Sequence, residues 1–340
     1  MINLALLKEM IDTNYVNVNK HPTHDLFIYN YTAKSQYDRM WNDVTLMCRG
    51  LIMDAEYNIV ARPFTKFFNL GEHENQVVPN ESFKIFEKLD GSMGVLYWIG
   101  NEPFMATRGS FISEQSVKAN AILRSKYADI LRGLDKSKTY LFEIIYPENR
   151  IVVHYGDVED VILTAIIDTK TGENLPLVEI GFPIVKEYHG IKDIFTLKQL
   201  EQANHEGFVI LFKSGVRYKV KFEEYLRIHR IVTQVSNINI WEYLAADMPF
   251  DEILDRVPDE FYDWVKMTST DLKKQFEVIE NQCITDFNAQ VFESRKEAAS
   301  YFLTCAYPAV LFKMRDKRPY KDVIWKLIRP TFQKPFSKMD

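Results

Sequence analysis

The chain has 340 residues, 46% hydrophobic and 14% aromatic, enough core material for about two domains and incompatible with global disorder. A formal net charge of −5 excludes a protein that holds polyanions by being basic throughout, so any polyanion site must be local. Three widely spaced cysteines, Cys48, Cys283 and Cys305, form no C-x-x-C pair and argue against a zinc site or a disulfide framework.

The first fifteen residues contain acids and no long apolar run, unlike a secretion signal, and no stretch approaches the ~20 apolar residues that span a bilayer. A cytoplasmic, reducing, membrane-free setting is therefore expected. Leu4, Leu7 and Ile11 have helical spacing and predict a helix over 4–13. From about 26 to 222, runs rich in β-branched and aromatic residues predict strands: LFIYNYT, GLIMDAEYNIVAR, FKIFEKLDGSMGVLYWIG, TYLFEIIYP, RIVVHYG, VILTAIID and EGFVILFKSGVRYKVKF. DAEYN and KSGV are hairpin turns, and Asp90-Gly91 favours a further tight turn between FKIFEK and MGVLYW. One helix interrupts the strands over 112–134, with Ser113 as its cap and Val117, Ala121, Ile122 and Leu123 marking a buried face. The predicted class is α+β and antiparallel-rich over 1–232, followed by an all-α domain over 233–340. The latter includes FDEILDRV and a periodic run near 259–296, long enough to be expected to break once.

No GxxxxGK[ST] and no GxGxxG after a strand is present. Charged residues instead lie within or beside apolar strands, where local pattern and chemistry conflict. Lys88 precedes the Asp-Gly turn; taken alone it reads as part of a plain hairpin, since a free lysine has a pKa of ~10.4 and needs cations or desolvation to become a nucleophile. With period two, Arg217, Lys219 and Lys221 share one strand face, and Glu206 begins the partner strand. Glu143 in YLFEIIY is either an outward-facing edge residue or a metal or ribose contact. Arg49, Lys66 and Arg108 complete a cationic census that suits a nucleoside triphosphate with a hard divalent cation. From Lys313 to Asp340, nine Lys or Arg face three Asp, a basic excess that is either a solvated tail or a polyanion contact.

K-x-D-G-S at Lys88 to Ser92 resembles motif I of the covalent lysyl-nucleotidyltransferases, the superfamily of ATP-dependent ligases and capping guanylyltransferases. The family order continues with T-R-G-S at Arg108, F-E-I at Glu143, E-G-F-V at Glu206 and K-V-K at Lys219 and Lys221. CRGLIMD, RPFTKFFNLGE, RGSFISEQ and ENRIVVHY are similar to the RNA ligase 1 branch of T-even phages; Leu89 departs from it, standing where that branch has an acid. The resemblance covers roughly 45–230.

It implies a nucleotidyltransferase core related to ATP-grasp ligases. Lys88 would be the nucleophile, with Arg49, Lys66, Arg108, Glu143, Lys219 and Lys221 binding ATP and Glu206 holding Mg2+ or Mn2+. The substrate implied is RNA with 5′-phosphate and 3′-hydroxyl ends, including cleaved tRNA, and the protein a monomer, in host cytoplasm if phage-encoded. A DNA nick ligase, a GTP-using capping enzyme and a catalytically silent RNA-binding relative are the alternatives. The first two usually append a β-barrel where this chain reads helical.

Overall fold

The computed structural model describes residues 2–72, 76–233, 236–248 and 262–332. The chain divides into two compact units, Met1–Val232 and Thr233–Asp340.

Alternating apolar residues in the first unit fold into three antiparallel-rich sheets. β1 (Val16–Lys20), β2 (Leu26–Tyr31), β3 (Arg49–Asp54) and β4 (Ile59–Ala61) form the first in that order. Its outer face, with Tyr29, Leu51 and Met53, is covered by Leu7 and Met10 of α1 (Leu4–Asp12), which Asn3 caps; Leu4 stays about half exposed. The β2–β3 connection carries α2 (Ala33–Tyr37) and α3 (Asp43–Met47).

The chain then contributes β5 (Phe68–Asn69), β6 (Phe83–Lys88), β7 (Ser92–Ile99) and β8 (Glu102–Thr107), followed by α4 (Glu114–Lys126) and α5 (Ala128–Arg132). The remaining strands are β9 (Lys138–Ile145), β10 (Asp160–Asp168), β11 (Asn174–Leu175), β12 (Glu187–Tyr188), β13 (Gly207–Phe212) and β14 (Arg217–Lys221). The second sheet has the order β11-β10-β9-β7-β8 and the third β12-β6-β13-β14-β5, with only β14 and β5 parallel.

The second sheet is central. Leu96, Phe142 and Ile144 on one face pack beneath α4 and α5. Val95, Tyr97 and Leu141 on the other meet Ile28 and Ile52 of the first sheet. In the third sheet Ile85, Phe208, Ile210, Tyr218 and Val220 pack into a separate core. By alternation, Phe86, Lys88, Val209, Leu211, Arg217, Lys219 and Lys221 stand on its opposite face.

Several expectations are corrected. FKIFEK and MGVLYW are not a hairpin: β6 pairs with β12 and β13, β7 with β8 and β9, and Leu89–Gly91 crosses between sheets. RIVVHYG forms no strand; Val152 and Val153 are buried in a loop pinned by Asp90. The helix over 112–134 is two helices parting at Tyr127, and its buried face is Ser116, Ala119, Ile122 and Leu123, whereas Val117 and Ala121 are exposed. Ser113 does cap it, accepting from the Ser116 N–H. β1, β5, β8, β11 and β12 arise from segments where no strand was expected.

In the second unit every regular element among the described residues is a helix. Beyond α6 (Glu223–Thr233) these are α7 (Asn237–Ala245), α8 (Tyr262–Asn288), α9 (Arg295–Phe302), α10 (Pro308–Arg315) and α11 (Lys321–Leu327). Phe276, Cys283, Phe302, Leu311 and Ile324 form their core. The long periodic run breaks after Asn288, and the chain restarts where Ser294 caps α9. FDEILDRV lies outside the described residues. No helix among them is long and apolar enough to cross a membrane.

Candidate active site

Lys88 is the last residue of β6. Pairing through β13 sets its position: Gly207 lies between Lys88 on one side and Lys221 on the other. The preceding residue, Glu206, is 3% exposed and takes an ammonium on each oxygen, Lys88 Nζ on Oε2 at 2.8 Å and Lys221 Nζ on Oε1 at 3.2 Å. A buried carboxylate held by two cations places two lysines together that strand alternation alone would leave two strands apart. The approach demands glycine at 207: its φ is +146°, and a Cβ there would meet the Val220 carbonyl oxygen at 2.0 Å.

Three residues then cross to β7. Asp90 is 4% exposed; its Oδ2 accepts from the Val152 and Val153 N–H groups, each at 2.8 Å, and its Oδ1 from the Tyr225 hydroxyl at 2.9 Å. Its own N–H donates to the Tyr155 hydroxyl at 2.8 Å. The Gly91 N–H donates to Glu143 Oε1 at 3.0 Å, and a Cβ at 91 would lie 2.6 Å from the Ile144 carbonyl oxygen. The Asp-Gly pair is therefore a splice between two sheets, anchored at both residues.

Glu143 sits on β9, between β7 and β10, so the edge reading is wrong. Phe142 and Ile144 point under the helices and Glu143 the other way, toward Lys88. Burial pushes its carboxyl up to about 7; the charge of Glu206 adds to the rise, while Lys88 and Arg49 oppose it.

A cavity of about 560 Å3 opens beside Lys88 between the second and third sheets. Arg49, Lys88 and Glu143 line it, together with Phe86, Leu177 and Val185, which supply an apolar wall. Arg49, the first residue of β3, lies over the rings of Phe64 and Phe67 at 4.9 and 5.5 Å, with Nη1 2.8 Å from Met93 Sδ. The other expected residues fall outside this lining. Lys219 is buried on β14, between Val209 and Asn69. Lys66 is 6% exposed, its ammonium among Tyr31, Trp41 and Phe68 at 5.3–5.5 Å. Arg108 stacks on the same Tyr31 at 5.2 Å and donates to its hydroxyl at 3.3 Å. Of the expected cations, Arg49 and Lys88 line the cavity, Lys221 meets Lys88 at Glu206, Lys66 and Arg108 gather at Tyr31, and Lys219 stands on β14 outside the lining.

Sequence reasoning missed Arg217 as a site residue, although its place in RYKVK already set it on the face of Lys219 and Lys221. It also missed Tyr155 and Tyr225 as holders of Asp90. Those tyrosines come from distant segments, and nothing in their own surroundings marks them.

A lysine and fixed cations stand here beside an apolar slot, with no glycine-rich loop. The model of the family described as RNA ligase matches residues 47–226, and the chain belongs to that family. Among its relatives, an RNA ligase of Rhodothermus phage RM378 is 23% identical, with 74% of this chain and 75% of that protein covered. A protein of Thermovibrio ammonificans described as an RNA ligase is 30% identical, over 68% of this chain and 65% of its own. One of Autographa californica nuclear polyhedrosis virus, described as a bifunctional polynucleotide kinase/RNA ligase, is 27% identical over 74% of this chain; the chain spans only 40% of its length. A solved Naegleria gruberi RNA ligase with PPi aligns at TM-score 0.37 and 19% identity, over 44% of this chain and 52% of that one.

Proposed function

We propose that this chain is an ATP-dependent RNA ligase that joins 5′-phosphate and 3′-hydroxyl RNA ends, acting in RNA repair. The observation that carries the reading is the Lys88–Glu206–Lys221 arrangement, of which Lys88 lines a cavity together with Arg49 and Glu143. Lys88 Nζ gives up a proton and attacks the α-phosphorus of ATP; a P–N bond forms and the bond to pyrophosphate breaks. Glu206, already accepting from Nζ, is placed to receive that proton. AMP then passes to the RNA 5′-phosphate, exchanging the P–N bond for a P–O–P link. Finally the 3′-hydroxyl attacks the RNA-side phosphorus, forming the new phosphodiester and releasing AMP. Charge neutralisation and in-line placement carry each transfer, which is why cations outnumber proton acceptors here.

Glu206 and Glu143 would hold Mg2+ or Mn2+, hard cations that take carboxylate oxygens and would help neutralise the leaving pyrophosphate. Lys219, and Lys66 and Arg108 around Tyr31, would serve phosphates of ATP or RNA. The apolar wall of Phe86, Leu177 and Val185 would take the base. Residues 233–340 would recognise a folded RNA such as cleaved tRNA through the exposed Lys317, Arg318 and Lys321, with the protein a monomer in the cytoplasm; Lys334 and Lys338 of the basic tail lie outside the described residues.

Incubation with α-labelled ATP and Mg2+ tests the reading. The expected result is an acid-labile adduct on Lys88, discharged by 5′-phosphorylated RNA and absent from Lys88→Ala. Full sealing by Lys88→Ala protein, or discharge only to nicked DNA, would overturn it, and an adduct formed from GTP alone would favour a capping enzyme.

A further inference from the structure

The cavity has a second cationic end, which the residues expected from the motifs do not explain. Register places Lys88 and Lys221 in one row across β13, Phe86 and Lys219 in the next pair along, and Lys84 and Arg217 in the third. Arg217 therefore stands four residues, ~13 Å, along the sheet from the Lys88 row, on the same face. Its guanidinium donates to Asn174 Oδ1 of β11 and lies over Phe64 at 4.6 Å. Arg49 lies over that same ring at 4.9 Å, so one phenyl group carries two guanidiniums.

Two like charges beside each other in a desolvated cavity are costly unless an anion joins them. Burial, with Arg49 second, pushes the Arg217 guanidinium down to about 9, and no carboxylate among the described residues pairs with it. Along the whole lining, five cationic side chains face two carboxylates, Glu87 and Glu143. Glu87 lies near His205 and Lys84 is paired with Glu187, while the guanidiniums of Arg49 and Arg217, with the exposed Lys213, make the distal end cationic. Planar guanidiniums present paired N–H donors that match phosphate oxygens.

We propose that Arg217, with Arg49, binds the β- and γ-phosphates of ATP and so holds the pyrophosphate leaving group. Phe64 and Asn174 fix the guanidinium plane for that contact. This rests on the ligase reading and deepens it: Arg217 would matter while pyrophosphate is present and become dispensable once AMP is on the lysine or on RNA.

The test compares wild type with Arg217→Gln and Arg217→Lys in full-length protein, after thermal melts show that each variant folds. Calorimetry with ATP, AMP and inorganic pyrophosphate needs no chemistry. The expected result is a loss of roughly 10- to 100-fold in affinity for ATP and pyrophosphate in Arg217→Gln, with AMP unchanged. Arg217→Lys should fall between, since a point charge replaces a fork. In turnover, the ATP concentration for half-maximal adenylylation rises while sealing of pre-adenylylated RNA stays at the wild-type rate. Equal losses for ATP and AMP would overturn the proposal in favour of a base or α-phosphate contact, as would unchanged pyrophosphate binding or a matching loss in sealing of pre-adenylylated RNA. Failure of wild type to adenylylate would count against the ligase reading alone, because the calorimetry still decides the role of Arg217.

Discussion

Replacing Asp90 with alanine removes one carboxylate and leaves three donors without their acceptor: the Val152 and Val153 N–H groups and the Tyr225 hydroxyl. Asp90 is 4% exposed, so water replaces it poorly. An unsatisfied buried donor costs about 1–3 kcal/mol. With partial hydration of the space left behind, Asp90→Ala should destabilise the first unit by about 3–6 kcal/mol. Asp90→Asn is the control. Its oxygen can keep both backbone bonds while its amide turns to the Tyr225 hydroxyl oxygen, so the cost falls to the loss of charge assistance, about 1–2 kcal/mol. Urea unfolding gives the stabilities, and amide exchange across 150–156 gives a local readout, because the Val152 and Val153 amides should lose protection in Asp90→Ala. If both variants stay within about 1 kcal/mol of wild type and those amides remain protected, Asp90 does not hold the loop.

Two further outcomes are expected. Gly207→Ala puts a Cβ into the Val220 carbonyl, a backbone obstacle that cannot rotate away, in a conformation side chains rarely adopt. It should cost about 3 kcal/mol or more and separate Lys221 from Glu206, read as a lowered melting temperature and loss of adenylylation. Glu143 has a folded value raised from 4.5 to about 7, so the folded state holds that proton more tightly than the unfolded chain. The stabilisation is fully present below about 4.5 and is lost as pH rises toward 7, by on the order of 3 kcal/mol. Glu143→Gln keeps an oxygen for the Gly91 N–H and should flatten the decline; parallel slopes for wild type and variant between pH 4.5 and 7 would contradict the assigned burial.

What the sequence disclosed follows from how local each signal is. Ser113, the hairpins at DAEYN and KSGV, and the shared face of Arg217, Lys219 and Lys221 are set by neighbours a few residues away, and all stand in the structure. Asp-Gly chemistry makes a sharp bend but does not say which strand the departing segment will join, so the crossing from β6 to β7 was read as a hairpin. Ile151, Val152 and Val153 have strand composition, yet Asp90, about sixty residues earlier, takes the backbone donors of Val152 and Val153 and keeps the segment a loop. Alternation placed Glu143 in a strand but was silent on whether that strand is central. The motif residues were legible as a set; their partition between the cavity and Tyr31 depends on the packing of three sheets, which no short-range pattern encodes.

The three-residue splice has a mechanical consequence. It is not the sole tie between the second and third sheets: the chain crosses again from Leu175 to Glu187, where the Val185 N–H donates to the Leu163 carbonyl oxygen, and the Arg217 guanidinium of the third sheet donates to Asn174 of the second. Lys88 thus stands next to one tie and Arg217, ~13 Å away by strand rise, at another. A slot fastened at both ends keeps the spacing between Lys88 and Arg217 set by the sheets rather than by whatever enters.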